Sequence, residues 1–489
     1  MARQPLLNIP LDSTLRTPLQ AQLSVALKAL IERGTLGGGG AIPSSRELAD
    51  HLRVSRNTVL GALDRLVGEG YLEARARSGH FVVPFERGRR ARTAAHASTA
   101  EFARRPLAAL EFPRAFRPSQ PDARLFPLAQ WNRMRSRALK RWGVPLFGYQ
   151  NDLSLGLPVL RQRVAEYLRD SRGVRCQWEQ VAITSGSQQA LYALSQLLLS
   201  KGDRVLMEDP GYPGAKAAWR AAGAQLLPGA VDRHGLMVPA RGRASRLIYV
   251  TPSRQFPTGA CMPVSRRLDV LAHARREGSW IVEDDYDSEF RYSSPPVPSL
   301  QGLDTDDRVI YVGSMSKVLI PALRIGYIVL PPSLVEPFTA RRTVIDDFGP
   351  FIDQATLAEF VEAGALFTHI RRCRREYASR LDSLISHVTR HDLPLQFPHV
   401  DGGMNLMALP TAPLPVDLRD RLRSAGLDLP TIASFTEGND SPGLLFGFAA
   451  FNHAEIAAGV ATLAEVLRRR ASPVRSREST RRTPASRAT

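Results

Sequence analysis

Cysteine is scarce in this sequence of 489 residues, and its spacing argues against two classes of site. The chain has three cysteines, Cys176, Cys261 and Cys373, which lie far apart and form no CxxC pair. A disulfide framework needs cysteines that pair, and a zinc site needs cysteine or histidine ligands at short spacings. We therefore predict no disulfide framework and no metal site, and the composition fits a reducing cytoplasm.

Long apolar runs, a secretory leader and internal repeats are also absent. The sequence contains no stretch of about 20 apolar residues, the length needed to span a bilayer. The N-terminal text MARQPLLNIPLDST lacks the basic segment, apolar run and small-residue cleavage site of a signal peptide. No unit recurs with a period of about 20 to 50 residues, which argues against a solenoid or propeller. We expect a soluble, cytoplasmic protein with no membrane partner.

Positive charge, by contrast, is abundant. The 65 lysines and arginines exceed the 47 aspartates and glutamates, so the formal net charge is +18. This balance favours a polyanionic partner such as nucleic acid, because binding releases condensed counterions. The length predicts at least two domains. Composition places a small domain at 12–84, a basic linker at 85–117, a large domain at 118–470 and a disordered basic tail at 471–489.

The small domain has the pattern of three helices. A first helix, ending near Gly34, is predicted by apolar residues at helical spacing: Leu19, Leu23, Leu27, Leu30 and Ile31. In PSSRELADHL, Ser44 and Glu47 form a capping box, which predicts the start of a second helix. After a short turn, Ser55 can cap a third helix, which leaves Arg56, Asn57 and Thr58 near its exposed start. This is the arrangement of a helix-turn-helix whose last helix reads DNA.

A hairpin is predicted to follow the third helix. The text YLEARARSGHFVV alternates as two strands, with Ser78 and Gly79 at the turn. Helix, helix-turn-helix and hairpin together make a winged helix. The text LGGGGAIPSSRELADHLRVSRNTVLGALDRLVGEGYLEARARSGHFV resembles the DNA-binding domain of GntR-type bacterial regulators. The resemblance implies that double-stranded DNA is contacted by Arg46, Arg56, Asn57, Thr58, Arg75 and Arg77.

The large domain has the pattern of an α/β fold with a largely parallel sheet. Helical text separates β-rich runs that we assign to strands: QVAITSG, RVLMEDPGY, RLIYVTPS, SWIVEDDYD, RVIYVGSMS and RIGYIVL. Polar residues collect where these strands end, and ligands of open α/β sheets bind beyond the carboxyl ends of the strands. We therefore expect one site at that edge of the sheet.

Several residues near these strand ends suit a phosphorylated aldehyde. In TSGSQQAL, the amides of Ser187 and Gln188 would face an anion at a helix start, although alone this pattern also fits a helix that binds nothing. Ser314 and Arg324, on either side of Lys317, add a hydroxyl and a guanidinium suited to phosphate. The Lys317 amine could form a Schiff base with an aldehyde. Pyridoxal 5'-phosphate (PLP) carries both groups.

The pyridine ring of PLP needs a carboxylate partner and contacts to its face and hydroxyl. Asp284, at the end of an apolar strand, fits the ring nitrogen. Tyr286 could hydrogen-bond the ring hydroxyl, and Tyr212 could stack on the ring. Each residue also has an ordinary interpretation: a surface charge for Lys317, a strand-end cap for Asp284 and a core side chain for Tyr212.

Four motifs of the large domain resemble fold-type I aminotransferases: DPGYPGA, QFPTG, EDDYDSEFRY and SKVLIPALRIGY. With the winged helix attached, the chain from about residue 12 to 470 resembles MocR/GabR-type transcriptional regulators. The resemblance implies PLP in Schiff-base linkage to Lys317, with Asp284 at the ring nitrogen. It places Ser187, Gln188, Ser314 and Arg324 at the phosphate. It also implies a homodimer in which Tyr149 reaches the phosphate of the neighbouring subunit.

Three residues depart from the aminotransferase pattern. Arg254 stands where the regulators usually have histidine, and Phe256 replaces the asparagine that aminotransferases place before Pro-Thr-Gly. Ala450 stands where an arginine commonly clamps the substrate carboxylate, a contact that alanine cannot supply. Arg254, Arg371 or Arg372 is a candidate substitute. Either the effector is not a simple amino acid or the cofactor itself is the signal.

Three functions fit these residues. The first is a regulator that binds DNA and senses PLP, with or without an amine or amino-acid effector. The second is a working aminotransferase that carries a DNA-binding domain, which the missing carboxylate clamp argues against. The third is a constitutive DNA-binding protein with a structural body. We favour the first.

Overall fold

The computed structural model divides the chain into two compact units, Met1–Leu110 and Glu111–Thr489. It describes residues 9–15, 17–76, 78–84, 114–149, 151–239, 244–293, 297–438 and 441–468. Three predictions concern residues outside these ranges: the wing residue Arg77, the tail at 471–489 and all of the linker except 114–117.

The first unit is a winged helix, as predicted. Three helices precede a two-stranded antiparallel hairpin: α1 (Leu19–Glu32), α2 (Ser45–Leu52), α3 (Arg56–Gly68), β1 (Leu72–Arg75) and β2 (Gly79–Val82). The capping box is present, with the Ser44 hydroxyl accepting from the Glu47 amide and the Glu47 carboxylate accepting from the Ser44 amide. The Ser55 hydroxyl accepts from the Thr58 amide and begins α3.

One apolar cluster holds this unit together. Its fully buried members come from one face of each helix and from the hairpin, among them Leu23, Leu27, Leu48, Leu63 and Leu72. The spacing of these residues is what the helical periodicity of the sequence predicts. Because the apolar faces point inward, the polar start of α3 is left at the surface.

The second unit is built around a mixed sheet of eight described strands. In spatial order the strands are β3 (Val181–Thr184), β10 (Gly326–Val329), β9 (Val309–Ser314), β8 (Trp280–Asp285), β7 (Leu247–Val250), β4 (Arg204–Asp209), β5 (Gln225–Asp232) and β6 (Gly235–Leu236). The central strands pair in parallel, while β10 and β6 pair antiparallel with their neighbours. The largely parallel α/β fold is therefore confirmed.

Helices cover both faces of this sheet and continue into a smaller subdomain. The described helices are α4 (Leu128–Trp142), α5 (Pro158–Arg172), α6 (Ser187–Leu198), α7 (Pro213–Ala221), α8 (Val264–Glu277), α9 (Leu300–Leu303), α10 (Met315–Val318), α11 (Pro332–Ile345), α12 (Phe351–Glu362), α13 (Ala365–Arg390), α14 (Leu418–Ser424) and α15 (His453–Arg468). Within the described ranges, no helix is both long and apolar enough to cross a membrane.

A second, three-stranded antiparallel sheet lies in the smaller subdomain. Its strands are β11 (Leu395–Gln396), β12 (Asn405–Pro410) and β13 (Leu444–Gly447), with β12 in the centre. An apolar cluster that includes residues of α13 and α15 packs against it. The sequence did not lead us to predict this sheet.

Replacing Ser44 with alanine should destabilise the first unit by about 1 kcal/mol, because the Glu47 amide in the first turn of α2 loses the hydroxyl that accepts its hydrogen bond. Amide hydrogen exchange of the full chain, followed by mass spectrometry, would show faster exchange across α2. The control is Ser78→Ala in the exposed hairpin turn, which removes one weak 3.4 Å contact to the Ala76 carbonyl. Equal exchange in the two variants would contradict a stabilising role for the cap.

Candidate functional site

The start of α3 and the adjoining part of α2 form a polar surface on the first unit. Arg46, Arg56 and Asn57 are exposed, and Thr58 is half-buried, with its hydroxyl 2.8 Å from that of Ser55. Arg56 Nε donates to the Ser45 hydroxyl at 3.3 Å, which orients the guanidinium across the two helices. The residues of α2 and α3 that we predict to contact DNA therefore lie on one surface.

The hairpin contributes a further exposed arginine to this unit. The Arg75 guanidinium lies 4.5 Å from the centre of the Phe81 ring and forms an ion pair of 3.3 Å with Glu73. These contacts restrain an arginine that remains exposed to solvent. Arg77, the other predicted wing contact, is outside the described residues.

In the second unit, a cavity of about 290 Å³ opens at the carboxyl ends of the central strands. All eight side chains predicted to hold PLP line it: Lys317, Asp284, Tyr286, Tyr212, Ser187, Gln188, Ser314 and Arg324. They meet because β8, β9 and β10 are neighbours in the sheet and because α6 begins directly after β3.

Lys317 lies on the short helix α10, directly after β9. The Ser314 hydroxyl caps the start of this helix by accepting a hydrogen bond from the Ser316 amide at 3.1 Å. Lys317 Nζ donates to the Ser119 carbonyl at 2.8 Å. Burial lowers the pKa of the Lys317 amine, and the carboxylates of Asp287 and Asp284 partly oppose that shift. The neutral, nucleophilic amine is therefore more accessible near neutral pH than in an exposed lysine.

Asp284, at the end of β8, offers a buried carboxylate to the cavity. The Tyr249 hydroxyl donates to its Oδ2 at 2.7 Å, while its Oδ1 accepts no hydrogen bond from any described group. Burial raises the pKa of Asp284 to about 6; Asp285 adds to this shift, and Tyr249 and Lys317 oppose it. A buried oxygen without a partner is costly, so Oδ1 is suited to a ligand that supplies a donor or a positive charge.

The start of α6 and Arg324 make part of the cavity lining suited to an anion. Gly186 caps α6 with a φ of 96°, which leaves the first amides of that helix facing the cavity edge. A Cβ at Gly186 would lie 3.3 Å from the Arg324 guanidinium, so glycine allows the arginine to approach the backbone. The guanidinium and the helix start together form a phosphate-sized cradle.

Aromatic side chains form one wall of the cavity. The Phe256 ring packs edge to face against Tyr212 at 5.9 Å, Tyr286 at 6.1 Å and Phe435 at 5.1 Å between centroids. The Tyr212 hydroxyl lies 3.4 Å from Gln188 Oε1. Phe256, the residue that replaces an expected asparagine, thus makes this wall apolar and supports both tyrosines.

None of the arginines considered as a substitute carboxylate clamp lines the cavity. Arg254 is buried, donates to the Asn405 carbonyl at 3.0 Å, and lies 3.8 Å from Asp287 and 3.6 Å from Asp401. A Cβ at Gly403 would lie 2.1 Å from Arg254 Nε, so this arginine fills space that only glycine leaves free.

The other two candidates, Arg371 and Arg372, are exposed on α13. Ala450 is buried, and its carbonyl accepts from Arg124 Nη2 at 2.7 Å. Arg124 itself pairs with Asp122 and Glu455. Among the described residues, Lys317 and Arg324 are the only cations that line the cavity.

Tyr249 and Ser119 are among the cavity residues that the sequence analysis did not single out. Tyr249 stands in an apolar strand, and a hydroxyl in an otherwise aliphatic run was the signal for a buried partner. Ser119 lies two residues after the predicted linker, 198 positions from Lys317, and no local pattern marks it. Across the described residues, no group of three or more His, Cys, Asp or Glu side chains could hold a metal ion.

The residues of the cavity fit PLP. The unpartnered Asp284 Oδ1 suits a protonated ring nitrogen, the cradle at Gly186 and Arg324 suits a phosphate, and the Lys317 amine suits an aldehyde. An amine, a carboxylate and an anion cradle thus line one cavity, as this ligand requires.

Comparison with known proteins gives the same two parts. Residues 19–82 match the family of bacterial regulatory proteins named gntR, and residues 150–460 match aminotransferase class I and II, a PLP-dependent fold family. The solved α-aminoadipate aminotransferase LysN of Thermus thermophilus, complexed with N-(5'-phosphopyridoxyl)-L-leucine, is 29% identical with a TM-score of 0.66. That match covers 73% of this chain and 92% of LysN.

Two relatives match nearly the whole chain. The probable rhizopine catabolism regulatory protein MocR of Rhizobium meliloti is 37% identical over 467 residues, covering 93% of this chain and 94% of MocR. The pyridoxine biosynthesis regulator PdxR of Corynebacterium glutamicum is 30% identical over 441 residues, covering 88% and 92%. The chain therefore belongs to the MocR-type family of helix-turn-helix transcriptional regulators, in which a GntR-type DNA-binding domain precedes an aminotransferase-like domain.

Proposed function

We propose that this transcriptional regulator holds PLP in the cavity of its second unit and uses the occupancy of that cavity as its signal, with or without an amine effector. The observation that carries the proposal is the meeting of Lys317, Asp284 and Arg324 in one cavity of a chain that also has a DNA-binding domain. PLP binding shifts DNA binding only to the extent that it favours one arrangement of the protein.

The roles of the side chains follow from their chemistry. Lys317 presents a buried amine of lowered pKa to the aldehyde, and Asp284 presents a carboxylate to the ring nitrogen. Ser187, Gln188, Ser314 and Arg324 bind the phosphate. Tyr212 and Tyr286 contact the ring. When bound, PLP supplies an electrophilic aldehyde carbon and an electron sink, which together make the protein responsive to amines.

A homodimer is part of the proposal. Val144, Phe147 and Tyr149 are exposed by 76%, 64% and 88%. Apolar side chains clustered at the surface favour burial against another protein, and the aminotransferase-like fold is commonly dimeric. Tyr149 lies on this surface and would reach the partner subunit's phosphate site. Two DNA-binding domains would then contact sites about one helical turn, or a multiple of it, apart.

A working aminotransferase is the second candidate, favoured by the pairing of Lys317 with Asp284 in one cavity. Against it, the described lining offers no cation besides Lys317 and Arg324 to bind a substrate carboxylate. Multiple turnover with an amino donor and a keto acceptor would establish enzymatic activity.

The proposed function is tested by Lys317→Ala. The wild-type protein mixed with PLP should show a visible absorption band that depends on Lys317, and its DNA affinity or DNA bending should change with PLP. The variant should show neither effect, because it lacks the amine that engages the aldehyde. The exposed Lys201, changed to alanine, is the control. A wild-type protein without the band, or with DNA binding indifferent to PLP, would refute the proposal.

The affinity for PLP should rise with pH between about 5 and 7. Burial raises the pKa of Asp284 to about 6, so at lower pH the protonated carboxyl no longer offers negative charge to the ring nitrogen. The Kd for PLP, measured by titration of the visible band, should increase by up to about tenfold for each pH unit below the pKa of Asp284. The Asp284→Asn variant should bind PLP weakly, and its Kd should depend less on pH. A pH dependence as steep as that of the wild type would exclude Asp284 as the titrating group.

Replacing Arg56 with alanine should weaken specific DNA binding by about 1 to 3 kcal/mol if Arg56 pairs with a base. Fluorescence anisotropy at fixed salt measures the change. Arg65→Ala is the matched control, since Arg65 is an exposed arginine near the other end of α3 that pairs with Glu69 at 2.9 Å. Equal losses in the two variants would show that only net charge matters.

A further inference from the structure

Ser119 connects the reactive amine to the chain that leads away from the linker. Lys317 Nζ donates to the Ser119 carbonyl at 2.8 Å, and both residues line the cavity. Ser119 has a φ of 63°, a left-handed conformation that is costly for a residue other than glycine. Such a conformation persists when surrounding contacts hold it.

Asn405 supplies those contacts. Its Oδ1 accepts from the Ser119 amide at 2.6 Å, and its Nδ2 donates to the Ser119 hydroxyl at 3.1 Å. Asn405 is 5% exposed, and its own carbonyl accepts from Arg254 at 3.0 Å. The side-chain amide of Asn405 therefore forms two hydrogen bonds to Ser119 from a buried position.

The three residues form a bridge between the two sheets. Lys317 follows β9 of the eight-stranded sheet, whereas Asn405 is the first residue of β12 in the three-stranded sheet. Ser119 lies between them and bonds to both. Other contacts also join the two sheets, but this one includes the amine that the proposed cofactor would engage.

The residues just before Ser119 contact the three-stranded sheet and the segment that precedes β13. The Phe116 carbonyl accepts from the Gly447 amide at 2.9 Å, and the fully buried Phe116 ring lies 5.2 Å from that of Phe446. The Ala115 carbonyl accepts from the Asp428 amide at 2.9 Å. The end of the linker is thus attached to this sheet, and a shift of the sheet would displace it.

Condensation of the Lys317 amine with an aldehyde would compete with its contact to Ser119. The C=N bond forms, the carbonyl oxygen leaves as water with two amine hydrogens, and the nitrogen keeps at most one proton. That nitrogen is then directed along the new double bond. We expect the Ser119 carbonyl then to lose its donor and the bridge between the sheets to open at this point.

We propose that Asn405 is a positioning residue that holds Ser119 against Lys317, and that engagement of the Lys317 amine opens this bridge and transmits cofactor occupancy to the linker. The inference rests on the sensing function proposed above. The bridge favours one placement of the three-stranded sheet when the amine is free, and its loss allows another.

The experiment compares DNA affinity with and without saturating PLP in the wild type and in Asn405→Ala, both as full chains. The variant should still show the Lys317-dependent visible band, formed faster because the amine is no longer held. The ratio of its DNA affinities with and without PLP should be closer to one than the wild-type ratio, by a factor of at least about three. Gln301→Ala is the matched control, because Gln301 also grips a backbone at two points, donating to and accepting from Arg175 at 2.8 Å.

Each result decides the question. An Asn405→Ala ratio equal to that of the wild type would overturn the proposal, as would an equal loss in Gln301→Ala. If Asn405→Ala fails to fold, Asn405→Leu fills a similar volume without either contact to Ser119, and a wild-type ratio in that variant would overturn the proposal instead. A wild-type protein whose DNA affinity ignores PLP would refute the sensing function itself, a failure visible before any variant is made.

Discussion

The parallel pairing of β7, β8 and β9 is the constraint on which the cofactor site depends. In parallel strands the carboxyl ends meet at one edge, and the register sets Asp284 opposite Val312, two residues before Ser314. Asp284 and the Lys317 helix are therefore neighbours wherever this sheet forms. Buried aliphatic strands fix the register, so the position of the site is a consequence of the core.

The same constraint explains which parts of the molecule could be predicted from the sequence. Strands, helix caps and the winged helix are local patterns, and the capping pair of Ser44 and Glu47 is three residues apart. The polar residues at the strand ends, such as Asp284 and Ser314, are also local, so their meeting at one edge could be anticipated. The fold class followed from these features, and the family from the resemblance of the quoted motifs to known regulators.

The rest depends on contacts between distant segments. Ser119 and Asn405 are 286 positions apart, and neither lies in a recognisable motif. Arg254 was considered for binding a carboxylate because its charge is visible in the sequence, whereas its burial against Asp287 and the Asn405 carbonyl is not. The three-stranded sheet escaped prediction because β11 is two residues long and β12 ends in a proline.

The close approach of Arg254 to Gly403 has a consequence for how this part of the chain tolerates change. Any side chain at position 403 would collide with the guanidinium, while a smaller residue at 254 would leave Asp287 without its buried cation and open a void beside the 401–404 turn. Changing both positions at once would not remove these costs, because Asp287 would still lack its cation and the φ of 84° at position 403 would still favour glycine. Each of the two positions is therefore restricted by its own local physics as well as by its neighbour.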